Sequence, residues 1–167
     1  MDVSSSRISR RVFAQGLGAV PMAVFGATEV QAQSRVVAEL LAAVADLIVP
    51  RDRSPSASDL DVHHRILAQA RTIPNYPRLL SEGLGWLEQQ ARGRHGAPFL
   101  QLPAEVQARI LTAAFAAQPQ TLPRVFADRM RADVLATYYR DARAWAGTGF
   151  EQPIQPMGYP DFQDPPA

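Results

Sequence analysis

The chain has 167 residues, enough for one ordinary domain with its own core, and a formal net charge of +1 with no basic cluster, so it has little electrostatic attraction for nucleic acid. It contains no cysteine, which excludes disulfides, thiolate metal centres, iron–sulfur clusters and haem attached through Cys-x-x-Cys-His. All 17 basic residues are arginine, which excludes a Schiff-base lysine and a phosphate loop of the Gly-Lys-Ser/Thr kind.

The first 32 residues stand apart. Ser9-Arg10-Arg11-Val12-Phe13 precedes a Gly- and Ala-rich apolar run from Gly16 to Ala27 and then Val30-Gln31-Ala32. This resembles a twin-arginine (Tat) export signal, with Arg10, Arg11 and Phe13 read by a receptor and cleavage after Ala32. The run is shorter than the ~20 apolar residues a helix needs to cross a bilayer. The resemblance implies a twin-arginine translocase as partner, a periplasmic location, and a mature chain of residues 33–167. Removing the leader takes away three arginines and two acidic residues and leaves fourteen of each.

From there the pattern is helical. Ser34 suits an N-cap, and Val36, Val37, Leu40, Leu41, Val44, Leu47 and Ile48 recur at three- and four-residue spacing until Pro50. A polar loop, Arg51-Asp52-Arg53-Ser54-Pro55-Ser56, follows. The second helix is expected from Ser58 or Asp59, carrying Leu60, His63 or His64, Leu67 and Ala70, until Ile73-Pro74-Asn75-Tyr76-Pro77 breaks the pattern. Leu79, Leu80, Gly83, Leu84, Leu87 and Ala91 mark a third helix that ends in the turn from Gly93 to Gly96. Pro103 suits the first turn of a fourth, with Val106, Ile110, Leu111, Ala114 and Phe115 on one face. Thr121 suits the cap of a fifth that runs to about Tyr139, with Val125, Phe126, Met130, Val134, Leu135 and Tyr138 inward. No stretch alternates as a strand would. The expectation is an all-α fold, a small bundle of about five helices over residues 33–149, followed by an extended Pro-rich arm over 150–167.

That last segment holds five prolines with Phe150, Ile154, Met157, Tyr159 and Phe162 among them. Its composition fits a disordered tail as well as an arm lying on a surface. The interleaved aromatics favour the arm, because proline lowers the entropy lost on docking.

Little in the chain carries chemistry. His63 and His64, with Asp59 and Asp61 nearby, are the candidate metal ligands. Adjacent helical residues point about 100° apart, which works against a shared ion, so one buried and one solvated histidine is the simpler expectation. His95 falls between Gly93 and Gly96 and reads as a loop residue. Glu82, Glu88, Asp128 and Asp133 each have an arginine three or four residues away and read as solvated ion pairs. Gly83-Leu84-Gly85 lacks the third glycine and the strand of a dinucleotide site. No Gly-x-Ser-x-Gly elbow is present. Trp86, Trp145, Tyr138 and Tyr139 read as packing residues. No catalytic and no cofactor-binding residue is therefore assigned.

Three stretches read together resemble the gluconate 2-dehydrogenase subunit 3 family. The helix closing in Asp46-Leu47-Ile48-Val49-Pro50-Arg51-Asp52 is similar to the family's Asp-x-Ile-x-Pro and acidic turn. Tyr138-Tyr139, Trp145, Gly149-Phe150 and Pro156-Met157-Gly158-Tyr159-Pro160-Asp161-Phe162 resemble its closing motifs, and the leader completes the likeness. Arg53-Ser54-Pro55-Ser56-Ala57 departs from the family's Thr-Pro-Gly-Ala turn. The resemblance implies a subunit without a cofactor of its own, beside a large FAD-binding dehydrogenase of the glucose-methanol-choline type that oxidises a sugar, sugar acid or alcohol. It further implies a multihaem cytochrome c in some such complexes, contact with the membrane only through partners, and a role in maturing and co-exporting the flavoprotein. Phe150, Pro156, Tyr159, Pro160 and Phe162 are the expected partner-binding residues. The alternative is a free-standing periplasmic metal-binding protein or enzyme built on His63 and His64.

Overall fold

The computed structural model describes residues 23–149. The leader residues Arg10, Arg11 and Phe13 and the arm residues Phe150, Pro156, Tyr159, Pro160 and Phe162 lie outside them. The described residues form an all-α fold of five helices: α1 (Ala23–Ile48), α2 (Val62–Ala70), α3 (Tyr76–His95), α4 (Ala104–Phe115) and α5 (Leu122–Tyr138). Short 3-10 turns at Ser58–Leu60, Phe99–Gln101 and Ala142–Gly147 join or follow them, and no strand occurs among the described residues.

α5 is the axis of the bundle and packs against α1, α2, α3 and α4. Its apolar face of Phe126, Met130, Val134 and Tyr138 is closed to solvent. Leu41 and Val44 from α1, Ile66 from α2, Leu80, Leu84 and Leu87 from α3, and Ile110 and Leu111 from α4 meet it in one core. Phe99, fully buried, fills the space below the α3–α4 connection. Its backbone N–H donates to Glu88 at 2.9 Å, and its carbonyl accepts from Gln107 at 2.8 Å. The 3.6-residue period read from the sequence therefore describes the buried faces well. The outermost positions differ. Val36 is 49% exposed and Val125 44% exposed, and Leu135 is half-buried, while Ala127 and Thr137 lie inside. A stripe of apolar residues is wider than the contact a neighbouring helix covers, so its edges reach solvent.

Boundaries shift where loop chemistry decides them. α1 is already helical at Ala23, the first described residue, so Ser34 is an interior residue and not a cap, and the helix is continuous across Ala32 and Gln33, both exposed. The second helix is split: Asp61 takes a left-handed conformation (φ 55°) and separates the 3-10 turn from α2. An aspartate tolerates that region better than most residues. α3 starts at Tyr76 after a left-handed Asn75 (φ 63°), with Pro77 in its first turn, where the missing N–H has no helical partner to lose. It ends at His95, which is helical and not a loop residue, followed by a left-handed Gly96 (φ 70°). Pro103 and Thr121 occupy the cap positions of α4 and α5.

Two polar contacts lock the ends of the bundle. Tyr76, buried at the start of α3, donates its hydroxyl to the Asp133 carboxylate of α5. Arg129 donates to the same carboxylate at 2.6 Å and lies 4.3 Å over the Tyr76 ring. Burial, and then the carboxylate beside it, push the Tyr76 hydroxyl well above its usual range. At the other end Tyr138 donates to the Pro55 carbonyl at 2.6 Å, fixing the loop after α1 to the end of α5. Tyr138→Phe leaves that carbonyl without its donor and is expected to lower unfolding free energy by about 1–3 kcal/mol, measured by urea denaturation of the purified chain. An unchanged midpoint would show that water replaces the hydroxyl at no cost.

Candidate functional site

The residues singled out by sequence gather at one end of the bundle, where the last turn of α1, the start of α2 and the end of α5 meet. Asp46 organises this end. Its carboxylate accepts from the Ser58 backbone N–H at 2.7 Å and from the Ser58 hydroxyl at 2.6 Å, so a residue of α1 caps the turn twelve positions later. Asp59 turns back on the loop, accepting from the Ser56 N–H at 2.8 Å and hydroxyl at 2.9 Å, and pairs with Arg51. Those Ser56 bonds, ahead of Arg51, hold the Asp59 carboxyl below the usual carboxylate range. The Asp-x-Ile-x-Pro ending is thus a structural device: Pro50 follows the helix and Asp46 recaptures the chain.

Beyond α5 the chain stays on this end. Asp141 accepts from Arg143 at 2.8 Å and 2.9 Å and from Arg65 of α2 at 3.2 Å. These bonds, Arg143 first, hold its carboxyl far below the usual carboxylate range. The Trp145 indole donates to the Tyr139 carbonyl at 2.9 Å. Tyr138 is buried and Tyr139 is 49% exposed, with their rings edge to face at 5.1 Å. Tyr138 and Trp145 are therefore packing residues, and together with Asp141 they fix the base from which residues 150–167 continue.

Asp61, His63 and His64 lie beside that base. His63 is only 9% exposed and His64 is exposed, as expected of adjacent positions. Although adjacent helical positions diverge, the two ring centroids are 4.1 Å apart. One ligand atom from each of Asp61, His63 and His64 lies within 4.8 Å of the others, and no other such group of three forms among the described residues. Asp59 is not part of it. Burial, and then the His64 ring, push the His63 imidazole below its usual range, towards the neutral form that coordinates metals. Sequence placed both Asp59 and Asp61 near the histidines and did not distinguish them; the structure groups Asp61 with the pair and engages Asp59 with Ser56 and Arg51.

The remaining ionisable candidates hold the fold. Glu82, Glu88, Asp128 and Asp133 pair with Arg78, Arg92, Arg124 and Arg129 one helical turn away. Glu88 and Asp133 also tie elements together through Phe99 and Tyr76, which spacing alone did not show. Trp86 packs at the edge of the core. An open groove of about 500 Å³ runs between α1 and α4, lined by Ala43, Leu47, Pro50, Ala104 and Ala108. Another of about 380 Å³ lies among α1, α2 and α3, lined by Val37, Leu67, Ala70, Pro77 and Leu80. Their walls are mostly apolar; Asp46 and Glu105 also line the first, where the Asp46 carboxylate is already engaged with Ser58. No helix among the described residues is long and apolar enough to cross a membrane.

Comparison with known proteins gives one match. No curated protein and no solved structure matches the chain. The model of the family described as gluconate 2-dehydrogenase subunit 3 matches residues 37–151, from the part of α1 that enters the core to the base of the C-terminal segment. That span includes Asp46, Tyr138 and Trp145, whose contacts have just been described, and by it the chain belongs to the gluconate 2-dehydrogenase subunit 3 family.

Proposed function

We propose that this chain is the non-catalytic small subunit of a periplasmic FAD-dependent dehydrogenase complex, which helps its flavoprotein partner mature and carries it through the twin-arginine translocase. The partner in this reading is a glucose-methanol-choline type enzyme acting on a sugar, sugar acid or alcohol, and FAD resides there. A multihaem cytochrome c is a further partner where the complex has one. The family match carries the reading, since the family is named for a subunit of a dehydrogenase. The residues support it: Glu82, Glu88, Asp128 and Asp133 are each bound to an arginine one helical turn away. In this reading the folded cargo that calls for such a leader is the FAD-loaded partner.

The C-terminal segment is the proposed grip. Phe150, Tyr159 and Phe162 are its anchors and Pro156 and Pro160 hold it extended, because buried aromatics supply much of the energy at such interfaces. Deleting residues 150–167 is expected to abolish co-purification of the flavoprotein with this chain, while circular dichroism of the helical domain stays unchanged. A complex that survives the deletion intact places the grip elsewhere.

A further inference from the structure

We propose that Asp61, His63 and His64 form a binding site for a divalent transition-metal ion at the base of the C-terminal segment. The donor set is of the right kind, since two imidazoles and one carboxylate suit zinc or copper. Its members are within reach, with the ligand atoms inside 4.8 Å of one another. Around a tetrahedral zinc with bonds of roughly 2.0–2.1 Å, ligand atoms stand about 3.3 Å apart. Rotation of the exposed Asp61 and His64 side chains closes the difference. Neither of those side chains makes a hydrogen bond or ion pair among the described residues, so both are free to turn.

The independent observation is His63. Its ring is more than nine-tenths buried, and its Nδ1 is shut off from solvent with no hydrogen-bond partner. A buried polar nitrogen normally has one. A cation coordinated at Nδ1 would engage that lone pair in place of a hydrogen bond. Asp46, whose carboxylate is already engaged with Ser58, faces His63 from α1 and adds favourable charge without being a ligand. Arg143, bound twice to Asp141, is the opposing positive charge felt by Asp61. Three protein ligands leave a position for water or for a group on a partner. This inference does not rest on the dehydrogenase reading, and a bound ion would by itself be a reason for export in the folded state.

The chain contains three histidines and no cysteine, so the test has few competitors. Equilibrium dialysis of the untagged chain against zinc or copper(II) chloride, followed by metal analysis, is expected to give one ion per chain. Binding should be lost in His64→Gln, weakened in Asp61→Asn and unchanged in His95→Gln. Both site substitutions are at exposed positions, and asparagine tolerates the left-handed backbone of residue 61, so unchanged helical circular dichroism guards against misfolding. Zinc should also raise the melting temperature of the unmodified chain and leave that of His64→Gln unmoved. Binding of neither ion, or undiminished binding in His64→Gln, overturns the site.

Discussion

Replacing Arg10 and Arg11 together by lysine is expected to leave the dehydrogenase activity in the cytoplasm. Lysine keeps both charges and loses only the planar, five-donor guanidinium, so the pair of substitutions separates recognition by a receptor from attraction of basic residues to an anionic surface. On the proposed reading, cleavage after Ala32 falls within α1 but outside the part of it that packs in the core. Residues 31–36 are exposed, and α1 enters the core only at Val37 and Leu40. Cell fractionation with an activity stain and an immunoblot for the flavoprotein gives the result. Periplasmic activity at the level of the unmodified chain would mean that the flavoprotein is exported without this subunit, and the escort role would be wrong. A flavoprotein that stays inside but remains bound to this chain would show that assembly precedes export.

The second large effect concerns stability, where two glycines of one helix are expected to respond in opposite directions. Gly83 and Gly85 lie in the middle of α3, where alanine is favoured over glycine by about 1 kcal/mol. At Gly85 nothing stands within 4 Å of an added Cβ, so Gly85→Ala should stabilise the chain by roughly 0.5–1 kcal/mol. At Gly83 the added carbon would overlap the ring of Phe126, with Cε2 at 2.8 Å and two other ring atoms nearer still. Phe126 is fully buried on the central helix, and close packing in a core leaves a ring little room to turn. Forcing α3 and α5 apart typically costs about 1–3 kcal/mol and sometimes more, which set against the helix gain leaves a net loss of roughly 1 kcal/mol, rising to about 2 where the ring cannot give way. Chemical denaturation of both variants checks this. Equal stabilisation in the two would refute the close α3–α5 contact.

That pair also shows how far sequence alone reaches. Gly83 and Gly85 look alike in a helical pattern, and only the position of Phe126 tells them apart. The buried faces were legible because solvent exposure imposes a 3.6-residue period on any amphipathic helix, and Leu41, Val44, Leu84, Leu87, Met130 and Val134 obey it. Helix ends were less legible. Asp61 and Asn75 adopt left-handed conformations that depend on the loops around them, and Ser34, a good cap by residue type, sits inside a longer helix. Glu88 and Asp133 read as surface partners of nearby arginines. Their second bonds, to Phe99 and Tyr76, join residues 11 and 57 positions apart.

The histidine pair gives the sharpest contrast. Sequence identified His63 and His64 as the ligand-type residues and argued from helical geometry that they diverge. The fold buries one ring, leaves the other in solvent and still brings them within 4.1 Å, then turns Asp61 towards them through a backbone angle that no periodicity encodes. What the sequence by itself determined was the all-α class, because it follows from residue types and local spacing, while the family came from a resemblance of short motifs that the match over residues 37–151 bears out. The tertiary structure decided which polar groups are bound to one another and which remain free, because burial and distance between elements are set only when the helices pack.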